Sequence, residues 1–358
     1  MISGFELSKV AVPGMAELLI TGGAGFIGSH FSRYWRIHRP HDRLVVLDAL
    51  TYAGDRQNLA GIEALEFVHG DIRDTALVSS LLETRRIDTI VNFAAETHVD
   101  RSIANPSIFF DVNVYGTLAL LDAAKQVWLD RGAGRPHRFH QISTDEVFGS
   151  IPHDARPVHE LAPYAPNSPY AASKAAADHL VRAYQNTYGL QATITHSSNN
   201  FGPRQHPEKL IPLCITNALH GRHLPIYGTG SNIRQWIPVE DTCRAVELVL
   251  TSGAAGETYN IGPGREMRNI DLVTRLCDIL DVTFSRDETL RNRFPLCPAA
   301  AGRRCRDLIR MVADRLGHDH RYALDCGKIG SQLGFVIRGD WEDQMDAAVR
   351  WYQAHSSR

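Results

Sequence analysis

Short apolar runs recur through the first 200 residues of the chain and are separated by helical patterns. Each run is apolar almost from end to end, which is typical of parallel strands that are buried on both faces. The helical segments between the runs predict crossover connections. The runs are ELLIT from Glu17, LVVLD at 44–48, LEFVHGD at 65–71, DTIVNFAAE at 88–96, RFHQIST at 138–144 and QATITHSS at 191–198. The sequence therefore predicts an α/β fold with a doubly wound parallel sheet of the Rossmann type, which binds ligands beyond the carboxyl ends of its strands.

The chain has 358 residues, which is more than one hydrophobic core usually supports. We predict an N-terminal extension over 1–15, a Rossmann domain over 16–200 and a smaller C-terminal substrate lobe over 201–358, with 236–261 returning to the Rossmann domain. Pro and Gly recur closely from Phe201 to Gly230, as in a loop-rich lobe. Residues 282–306 have weak periodicity and are interpreted as an insertion or mobile loop.

The composition argues against several functional classes. The 38 Lys and Arg residues balance 40 Asp and Glu residues, so the formal charge of −2 provides no basic field for nucleic acid. No run approaches the ~18 apolar residues of a membrane span, and the N-terminus lacks a signal-peptide pattern. The six cysteines and 17 histidines show no metal-ligand spacing, so we expect no metal and thiols kept in a reducing compartment. These features favour a cytoplasmic protein without membrane or nucleic-acid partners.

A glycine-rich turn follows the first apolar run directly. Residues 21–28 read TGGAGFIG, in which Gly22, Gly25 and Gly28 fit G-x-x-G-x-x-G, with Phe26 and Ile27 between the last two. Glycine at these positions lets the backbone approach a pyrophosphate, and the next helix turns its positive end towards it. The turn therefore predicts a dinucleotide site.

Two carboxylates follow the second and third apolar runs. Asp48 lies 20 residues after Gly28, where it can accept hydrogen bonds from ribose hydroxyls and would repel a 2′-phosphate. This position favours NAD over NADP as the cofactor. Asp71 and Ile72 could hold the adenine edge, although Asp71 could instead cap the next helix.

A helix is predicted to begin at the SPYAASK segment of residues 168–174. Ser168 is a suitable N-cap, Pro169 suits the first turn and Gly189 ends the pattern. Tyr170 and Lys174 are then i and i+4 and share one face. Because a nearby ammonium favours a phenolate, Tyr170 can take a proton from a hydroxyl group.

The glycine turn together with Tyr170 and Lys174 resembles the extended short-chain dehydrogenase/reductase superfamily. The resemblance implies that Ser143 or Thr144 is the hydroxyl partner of the tyrosine. It also implies that Tyr170 and Lys174 contact the cofactor.

Two adjacent carboxylates, Asp145 and Glu146, follow the fifth apolar run. Oxidation of an alcohol needs only the tyrosine, the lysine and a hydroxyl partner, so an acid pair indicates further proton transfers. Loss of water across two carbons needs both a base and an acid, and two carboxyl groups with separated pKa values supply them. The alternative is a solvated turn in which Asp145 caps the next helix.

From about Glu17 onward the chain resembles the dTDP-glucose 4,6-dehydratase family, and Thr144-Asp145-Glu146 is the most specific part of the resemblance. The chain departs from the family pattern at Gln205-His206, Gln235, Ile237-Pro238, Leu316 and 282–306, which leaves the nucleotide base and the sugar open. The motifs are GGAGFIGS, DALTYAGD, AAETHVDRSI, STDEVFG, PYAPNSPYAASKAAADHLVRAY, SSNNFGP, PEKLIP, VEDTCRAV, ETYNIG and DRLGHDHRYALD.

The family resemblance implies a reaction with assigned roles. Tyr170, aided by Lys174 and Thr144, removes the C4 hydroxyl proton of a nucleotide sugar while hydride passes from C4 to NAD. Glu146 removes the C5 proton, and a protonated Asp145 gives its proton to the leaving C6 hydroxyl. Hydride then returns to C6, so NAD is tightly bound and regenerated in each turnover. The implied product is a 4-keto-6-deoxy nucleotide sugar.

The resemblance also implies substrate contacts and a partner. Arginine suits phosphate oxygens because its guanidinium donates in a planar fork. The segments 105–128 and 171–188 have helical patterns, and the resemblance implies that these helices form a homodimer interface; packing within one chain is the alternative. The implied substrate-binding residues are Asn199, Arg234, Asn269 and Arg315 at the pyrophosphate or ribose, His318 nearby, and Pro225 and Tyr227 beside the base.

Two other functions stay open at this point. Another nucleotide-sugar enzyme of the superfamily, such as a 4-epimerase, a UDP-sugar dehydratase or an exo-glycal-forming dehydratase, would share the fold and NAD. An epimerase has no need for both Asp145 and Glu146. A catalytically silent NAD-sensing protein would not need Tyr170, Lys174 and the acid pair together.

Overall fold

A computed structural model describes residues 16–356, so the extension predicted over 1–15 lies outside the described residues. The strands are β1 (Glu17–Thr21), β2 (Arg43–Asp48), β3 (Leu65–His69), β4 (Thr89–Asn92), β5 (Arg138–Thr144), β6 (Ala192–Ser197), β7 (Asn199–Phe201), β8 (Leu224–Tyr227), β9 (Ile233–Pro238), β10 (Thr258–Ile261), β11 (Glu266–Arg268) and β12 (Ile309–Val312). The helices are α1 (Phe26–His38), α2 (Thr75–Thr84), α3 (Val99–Ala104), α4 (Ser107–Asp130), α5 (Pro169–Tyr188), α6 (Leu210–Leu219), α7 (Val239–Ser252), α8 (Asn269–Arg286), α9 (Glu288–Arg293), α10 (Gly327–Leu333) and α11 (Trp341–His355).

Seven strands form the main sheet in the order β10-β6-β5-β4-β1-β2-β3. Every pairing is parallel, and each of the six predicted strands is present within two residues or so of its expected start. The predicted doubly wound parallel sheet is therefore confirmed. The strand order reverses between β1 and β4, and a sheet of this kind binds its ligands in the crevice at that point.

Two smaller sheets are formed by strands that follow β6 in sequence. Strand β9 pairs with β7 and β11, and β8 pairs with β12. These sheets and helices α6, α8 and α11 enclose a separate group of buried apolar side chains, which we call the second core. Strand β10 and helix α7 instead belong to the main sheet, since β10 pairs with β6 and α7 packs against α1.

Helix α5 begins and ends at the residues that the sequence indicates. The Ser168 hydroxyl accepts a hydrogen bond from the Ala171 amide at 3.1 Å, and Pro169 occupies the first turn. Gly189 ends the helix with a φ of +77°, a conformation that glycine adopts without strain. Tyr170 and Lys174 therefore lie one turn apart near the start of a capped helix.

Helix α4 is the longest apolar helix of the described chain. Its 24 residues and mean hydropathy of 1.2 are enough, by length and composition, to cross a membrane, so the expectation that no segment reaches this length is wrong here. Half of its most apolar window is buried inside the protein, where α4 packs against α2 and α5. A single helix of this kind is weak evidence for a membrane span, because core helices of globular proteins have the same composition.

Residues 282–306 are largely helical, so their interpretation as a mobile loop is wrong, whereas their interpretation as an insertion stays a prediction. Helix α8 continues to Arg286, α9 follows at once, and two short turns of 3-10 helix complete the segment. Leu290 on α9 and Phe294 and Cys297 just after it are buried in the second core. Short helices and the prolines between them disrupt the periodicity over a longer window, which is why the sequence pattern looked weak.

The cysteines are free thiols, of which five are buried and Cys326 is half-buried. The Sγ atoms of Cys297 and Cys305 lie 3.7 Å apart in the second core. Among residues 16–356 no group of three or more His, Cys, Asp or Glu side chains is arranged to hold a metal ion.

We predict that the Phe294→Ala variant loses about 3–5 kcal/mol of unfolding free energy, because it removes a ring that is 2% exposed and leaves a cavity. The matched control Leu296→Ala, two residues away, should change stability by less than about 0.5 kcal/mol, since that side chain is 68% exposed. Urea denaturation of the two variants checks this. Equal stabilities would mean that the segment does not pack into the second core.

Candidate active site

The sequence-predicted site residues all line one cavity of about 780 Å³ at the carboxyl ends of the main-sheet strands. The structure thus brings together residues that are spread over almost 300 positions of the chain. Their individual roles remain predictions. The residues are Gly22, Gly25, Phe26, Ile27, Gly28, Asp48, Asp71 and Ile72 on the cofactor side, Thr144, Asp145, Glu146, Tyr170 and Lys174 in the middle, and Asn199, Pro225, Tyr227, Arg234, Asn269, Arg315 and His318 on the substrate side.

The glycine turn has no room for side chains. A Cβ on Gly22, whose φ is +65°, would lie 2.6 Å from the Ala94 nitrogen, and a Cβ on Gly28 would lie 2.5 Å from the Gly22 oxygen. Helix α1 starts at Phe26, and its cap residue Gly25 supplies no side-chain hydrogen bond. The first amides of α1 are therefore available to an anion, and the positive end of the helix favours one. This arrangement fits the pyrophosphate of NAD.

Asp48 lies at the carboxyl end of β2 and braces the glycine turn. Its Oδ2 accepts a hydrogen bond from the Ala24 amide at 2.8 Å, and its Oδ1 accepts one from the Leu50 amide at 2.8 Å. Each carboxylate oxygen can accept a second bond, so the ribose hydroxyls of NAD still have acceptors. Burial raises the pKa of Asp48, and the two amide hydrogen bonds oppose that shift.

Asp71 forms a local turn and does not cap helix α2. Its Oδ1 accepts from the Arg73 amide at 2.8 Å, and its carboxylate pairs with the Arg73 guanidinium. The hydrogen bond from Arg73 lowers the pKa of Asp71. The cap of α2 is Asp74, whose side chain accepts from the Leu77 amide. Asp71 therefore does not cap α2, and it lines the cavity.

Strand β5 contacts the face of helix α5 that carries Tyr170 and Lys174. The Lys174 ammonium donates to the Ile142 carbonyl at 2.7 Å. The Thr144 hydroxyl lies close enough to Tyr170 to lower the pKa of the phenol, whereas the Ser143 hydroxyl donates to Asp178 at 2.7 Å. Of the two hydroxyl partners that the resemblance left open, the structure places Thr144 beside the tyrosine.

Burial dominates the proton affinities of Tyr170 and Lys174. Burial, and then the charge of Glu146, raise the pKa of the Tyr170 phenol well above its usual value of 10, and the Thr144 hydrogen bond opposes them. Burial lowers the pKa of Lys174 to about 8, against the charge of Asp178. The expectation that Lys174 alone brings the phenol towards neutral pH is not met in the protein by itself. Ionisation of the phenol therefore requires further positive charge in the cavity.

The two adjacent carboxyl groups lie in different electrostatic surroundings. Burial and the charge of Glu146 raise the pKa of Asp145 to about 7, and the Asp145 Oδ2 is buried without a hydrogen-bond partner among the described residues. Burial also raises the pKa of Glu146, but Arg234, Lys209 and Arg315 oppose the shift. Of these cations only Arg234 acts strongly on Asp145. Glu146 therefore ionises first and can act as a base, while Asp145 retains a proton and can act as an acid.

Arg234 supplies a buried positive charge to the substrate side. Its guanidinium is 5% exposed, donates to the Asp319 and Ile233 carbonyls at 2.8 Å each, and lies 4.0 Å from the centre of the Tyr322 ring. No carboxylate of residues 16–356 forms an ion pair with it. Because burying an unpaired cation is costly, this arginine fits an anionic ligand in the cavity.

Other substrate-side residues offer unpaired polar atoms. The Oδ1 atoms of Asn199 and Asn269 are buried without partners among the described residues. Buried polar atoms are normally hydrogen-bonded, so unpaired ones in a cavity wall favour a polar ligand. His318 is held by Asp314 at 2.7 Å, and its ring meets Tyr227 edge-on at 6.0 Å between centroids.

Sequence analysis did not single out four further polar residues of the cavity wall. The Lys209 ammonium donates to the Thr97 carbonyl at 2.9 Å, and the Tyr322 hydroxyl donates to Asp319 at 2.7 Å. The sequence offered a signal for His98 and Asp100, because they follow β4, which ends at the same sheet edge as the predicted site. The four residues are His98, Asp100, Lys209 and Tyr322.

Comparison with known proteins gives consistent matches over nearly the whole chain. Residues 19–346 match the family described as GDP-mannose 4,6 dehydratase. The chain is 45% identical over 353 residues to dTDP-glucose 4,6-dehydratase 1 of Escherichia coli (strain K12), covering 95% of this chain and 93% of that protein. It is 46% identical over 343 residues to the dTDP-glucose 4,6-dehydratase of Xanthomonas campestris pv. campestris (strain B100), covering 94% and 93%.

Solved structures agree with this similarity. DesIV, a dTDP-glucose 4,6-dehydratase of Streptomyces venezuelae solved with NAD and TYD bound, superposes with a TM-score of 0.83 at 47% identity, covering 95% of this chain and 97% of that one. The UDP-glucose 4-epimerase of Thermus thermophilus, solved with NAD, superposes with a TM-score of 0.80 at 26% identity, covering 95% and 100%. The shared fold therefore does not separate dehydratase from epimerase, whereas sequence identity does.

We predict that the Asp145→Asn variant is more stable than the native chain at neutral and alkaline pH. The pKa of Asp145 rises from 3.8 to about 7 on folding, so this residue costs stability increasingly as pH rises between those values. Asparagine keeps the shape and never ionises. Its advantage, roughly a few degrees in Tm, should be largest above about pH 7 and shrink towards about pH 4.

Thermal unfolding at the two pH values checks this prediction. The control is Asp154→Asn, nine positions along the chain, whose side chain is exposed. A Tm difference for Asp145→Asn that is the same at both pH values would contradict the burial argument.

Proposed function

Since the chain belongs to the dTDP-glucose 4,6-dehydratase family, we propose that it converts dTDP-glucose to dTDP-4-keto-6-deoxyglucose with bound NAD. The reaction is a C4 oxidation, loss of water across C5 and C6, and hydride return to C6. The enzyme is therefore a hydro-lyase that leaves its cofactor unchanged at the end of each turnover.

The unequal surroundings of Asp145 and Glu146 are the observation that carries this proposal. Both carboxyl groups line the same cavity as Tyr170, and only one of them faces three cations. Elimination of water needs one group that takes a proton and another that gives one. An epimerase of the same fold has no use for such a pair.

We assign the proton transfers to these side chains as follows. Tyr170 takes the proton of the C4 hydroxyl, and Thr144 and Lys174 hold the phenolate that this requires. Glu146 removes the C5 proton, which the neighbouring C4 ketone acidifies. Asp145 gives its proton to the departing C6 hydroxyl, so water leaves. The proton that Glu146 took then returns to C5 as hydride reaches C6, and exchange with solvent removes the extra proton of Tyr170 and restores that of Asp145, which balances the reaction.

The glycine turn, Asp48, Asp71 and Ile72 are proposed to hold NAD, whose pyrophosphate fits the unobstructed start of α1. When bound, the cofactor would accept the C4 hydride in its oxidised form and donate it to C6 in its reduced form, and the oxidised nicotinamide ring would add positive charge to the cavity. The raised pKa of Tyr170 in the protein alone makes that positive charge important, because the phenol must lose its proton to act as a base.

We propose that the substrate diphosphate lies near Arg234 and Arg315 and that Asn199 and Asn269 use their unpaired oxygens or amides there. Homologues bind nucleotide sugars, which supports this class of ligand. Pro225 and Tyr227 on β8 would border the base, and His318 would assist from the neighbouring loop. The domain division at residue 200 and a cytoplasmic location are proposed with this function.

A homodimer is also proposed, through α4 and α5. The two helices pack side by side and leave the aromatic rings of Phe110, Tyr115 and Tyr188 exposed. Exposed aromatic groups on adjacent helices are suited to burial against a second copy of the same surface.

The function is tested by incubating the purified protein with dTDP-glucose and measuring product mass. We expect loss of one water without net accumulation of NADH. Unchanged mass with inverted C4 would identify an epimerase instead, and no turnover would contradict the proposal.

The Tyr170→Phe variant should lose at least about 100-fold in turnover because C4 oxidation then lacks its base. Tyr188→Phe, an exposed tyrosine on the same helix, serves as the control.

The dimer is tested by light scattering, which should give about twice the 39.8 kDa of one chain. Tyr115→Glu should reduce the measured mass towards that of one chain, because a carboxylate would be buried in the interface. Ile37→Glu, an exposed apolar position on α1, should not. A native protein that elutes with the mass of a single chain would overturn this part of the proposal.

A further inference from the structure

Asp100 links the main-sheet side of the cavity to the substrate side. It lies on α3, which follows β4, and its carboxylate accepts hydrogen bonds from Arg315 Nε at 2.7 Å and Arg315 Nη2 at 3.0 Å. The Tyr227 hydroxyl donates to the same carboxylate at 3.2 Å. These partners lie 215 and 127 positions away in the chain. One carboxylate thus fixes two side chains that the sequence assigns to nucleotide binding.

The geometry fixes the direction of the Arg315 guanidinium. The two hydrogen bonds to Asp100 occupy the edge between Nε and Nη2, so the edge between Nη1 and Nη2 stays available for phosphate oxygens. The guanidinium also lies 5.0 Å from the centre of the Tyr227 ring. Without Asp100, the side chains of Arg315 and Tyr227 would regain rotamer freedom. Ordering them when the nucleotide binds would then cost free energy.

We propose that Asp100 is a positioning residue for the nucleotide, which orients Arg315 towards the diphosphate and Tyr227 towards the base. This inference rests on the proposed function, because it takes the ligand to be a nucleoside diphosphate sugar. Asp100 forms no hydrogen bond with the acid pair and contacts Arg315 and Tyr227 instead, so its effect should fall on binding and not on chemistry.

The charge of Asp100 is compatible with this role. Burial works against its ionisation, but the hydrogen bonds and charge of Arg315 outweigh burial and lower the pKa of Asp100. The groups around it are mostly cationic or neutral, since the His98 ring lies 3.9 Å away and Tyr227 donates to it. The contrary possibility is that Asp100 merely competes with the diphosphate for Arg315, and the sign of the binding change distinguishes the two.

The test compares Asp100→Asn with the native enzyme. Asparagine keeps the size but replaces one acceptor oxygen with a donor nitrogen, so the paired edge of Arg315 is lost. We expect KM for dTDP-glucose to rise about 10-fold while kcat changes less than about two-fold. The Kd for dTDP, measured by calorimetry, should rise by a similar factor.

The matched control is Glu342→Gln. Glu342 accepts from Arg275 Nε at 2.7 Å, and its side chain is 36% exposed, like that of Asp100, but it does not line the cavity. This control should leave both KM and kcat unchanged. A further comparison uses the Arg315→Ala background, in which Asp100→Asn should raise KM much less than in the native chain, because the residue that it positions is missing.

Some outcomes would overturn the inference. An unchanged or lower KM in Asp100→Asn would mean that Asp100 is idle or competes with the ligand. A fall in kcat at constant KM would place it in the chemistry instead. If the native chain does not turn over dTDP-glucose, the proposed function fails, whereas the dTDP affinity of the two chains still decides the role of Asp100.

Discussion

The seating of helix α5 on strand β5 is the contact on which the site depends. Three successive strand residues face this helix, since the Ile142 carbonyl accepts from Lys174, the Ser143 hydroxyl donates to Asp178 and Thr144 lies beside Tyr170. A shift of one residue along the strand would turn every strand side chain to the opposite face of the sheet. The position of the phenol is therefore set by backbone pairing deep in the sheet, and not by a flexible loop.

Burial is the common cause behind the unusual proton affinities of the cavity. It disfavours charge in every group, so it raises the pKa values of Asp145 and Tyr170 and lowers that of Lys174. Burial alone would treat Asp145 and its neighbour Glu146 alike. The difference between the two carboxyl groups comes from the positions of nearby cations.

Those cations reach the acid pair from a different part of the chain. Asp145 and Glu146 follow β5 of the main sheet, whereas Arg234 lies on β9, and Lys209 and Arg315 come from loops around the second core. The packing of the second core therefore helps to place the cations that act unequally on the two carboxyl groups. In the protein alone, the Asn199 and Asn269 Oδ1 atoms lack hydrogen-bond partners and Arg234 lacks an ion-pair partner among the described residues, which is energetically unfavourable. A polar anionic ligand would satisfy these groups.

The sequence by itself determined the parallel sheet, the glycine turn, the capped helix with Tyr170 and Lys174, and the presence of an acid pair at a strand end. These features depend on periodicity, capping and turn chemistry within a few residues, which a linear reading detects. Assigning the substrate side required resemblance to a family, and the reading failed for 282–306, where short helices interrupted by prolines carry too few turns for a clear period. Only the tertiary structure chose Thr144 over Ser143, revealed that burial keeps Tyr170 protonated, and joined Asp100 to an arginine 215 positions away. Such facts depend on distances and burial between remote segments, and the order of residues along a chain does not encode them locally.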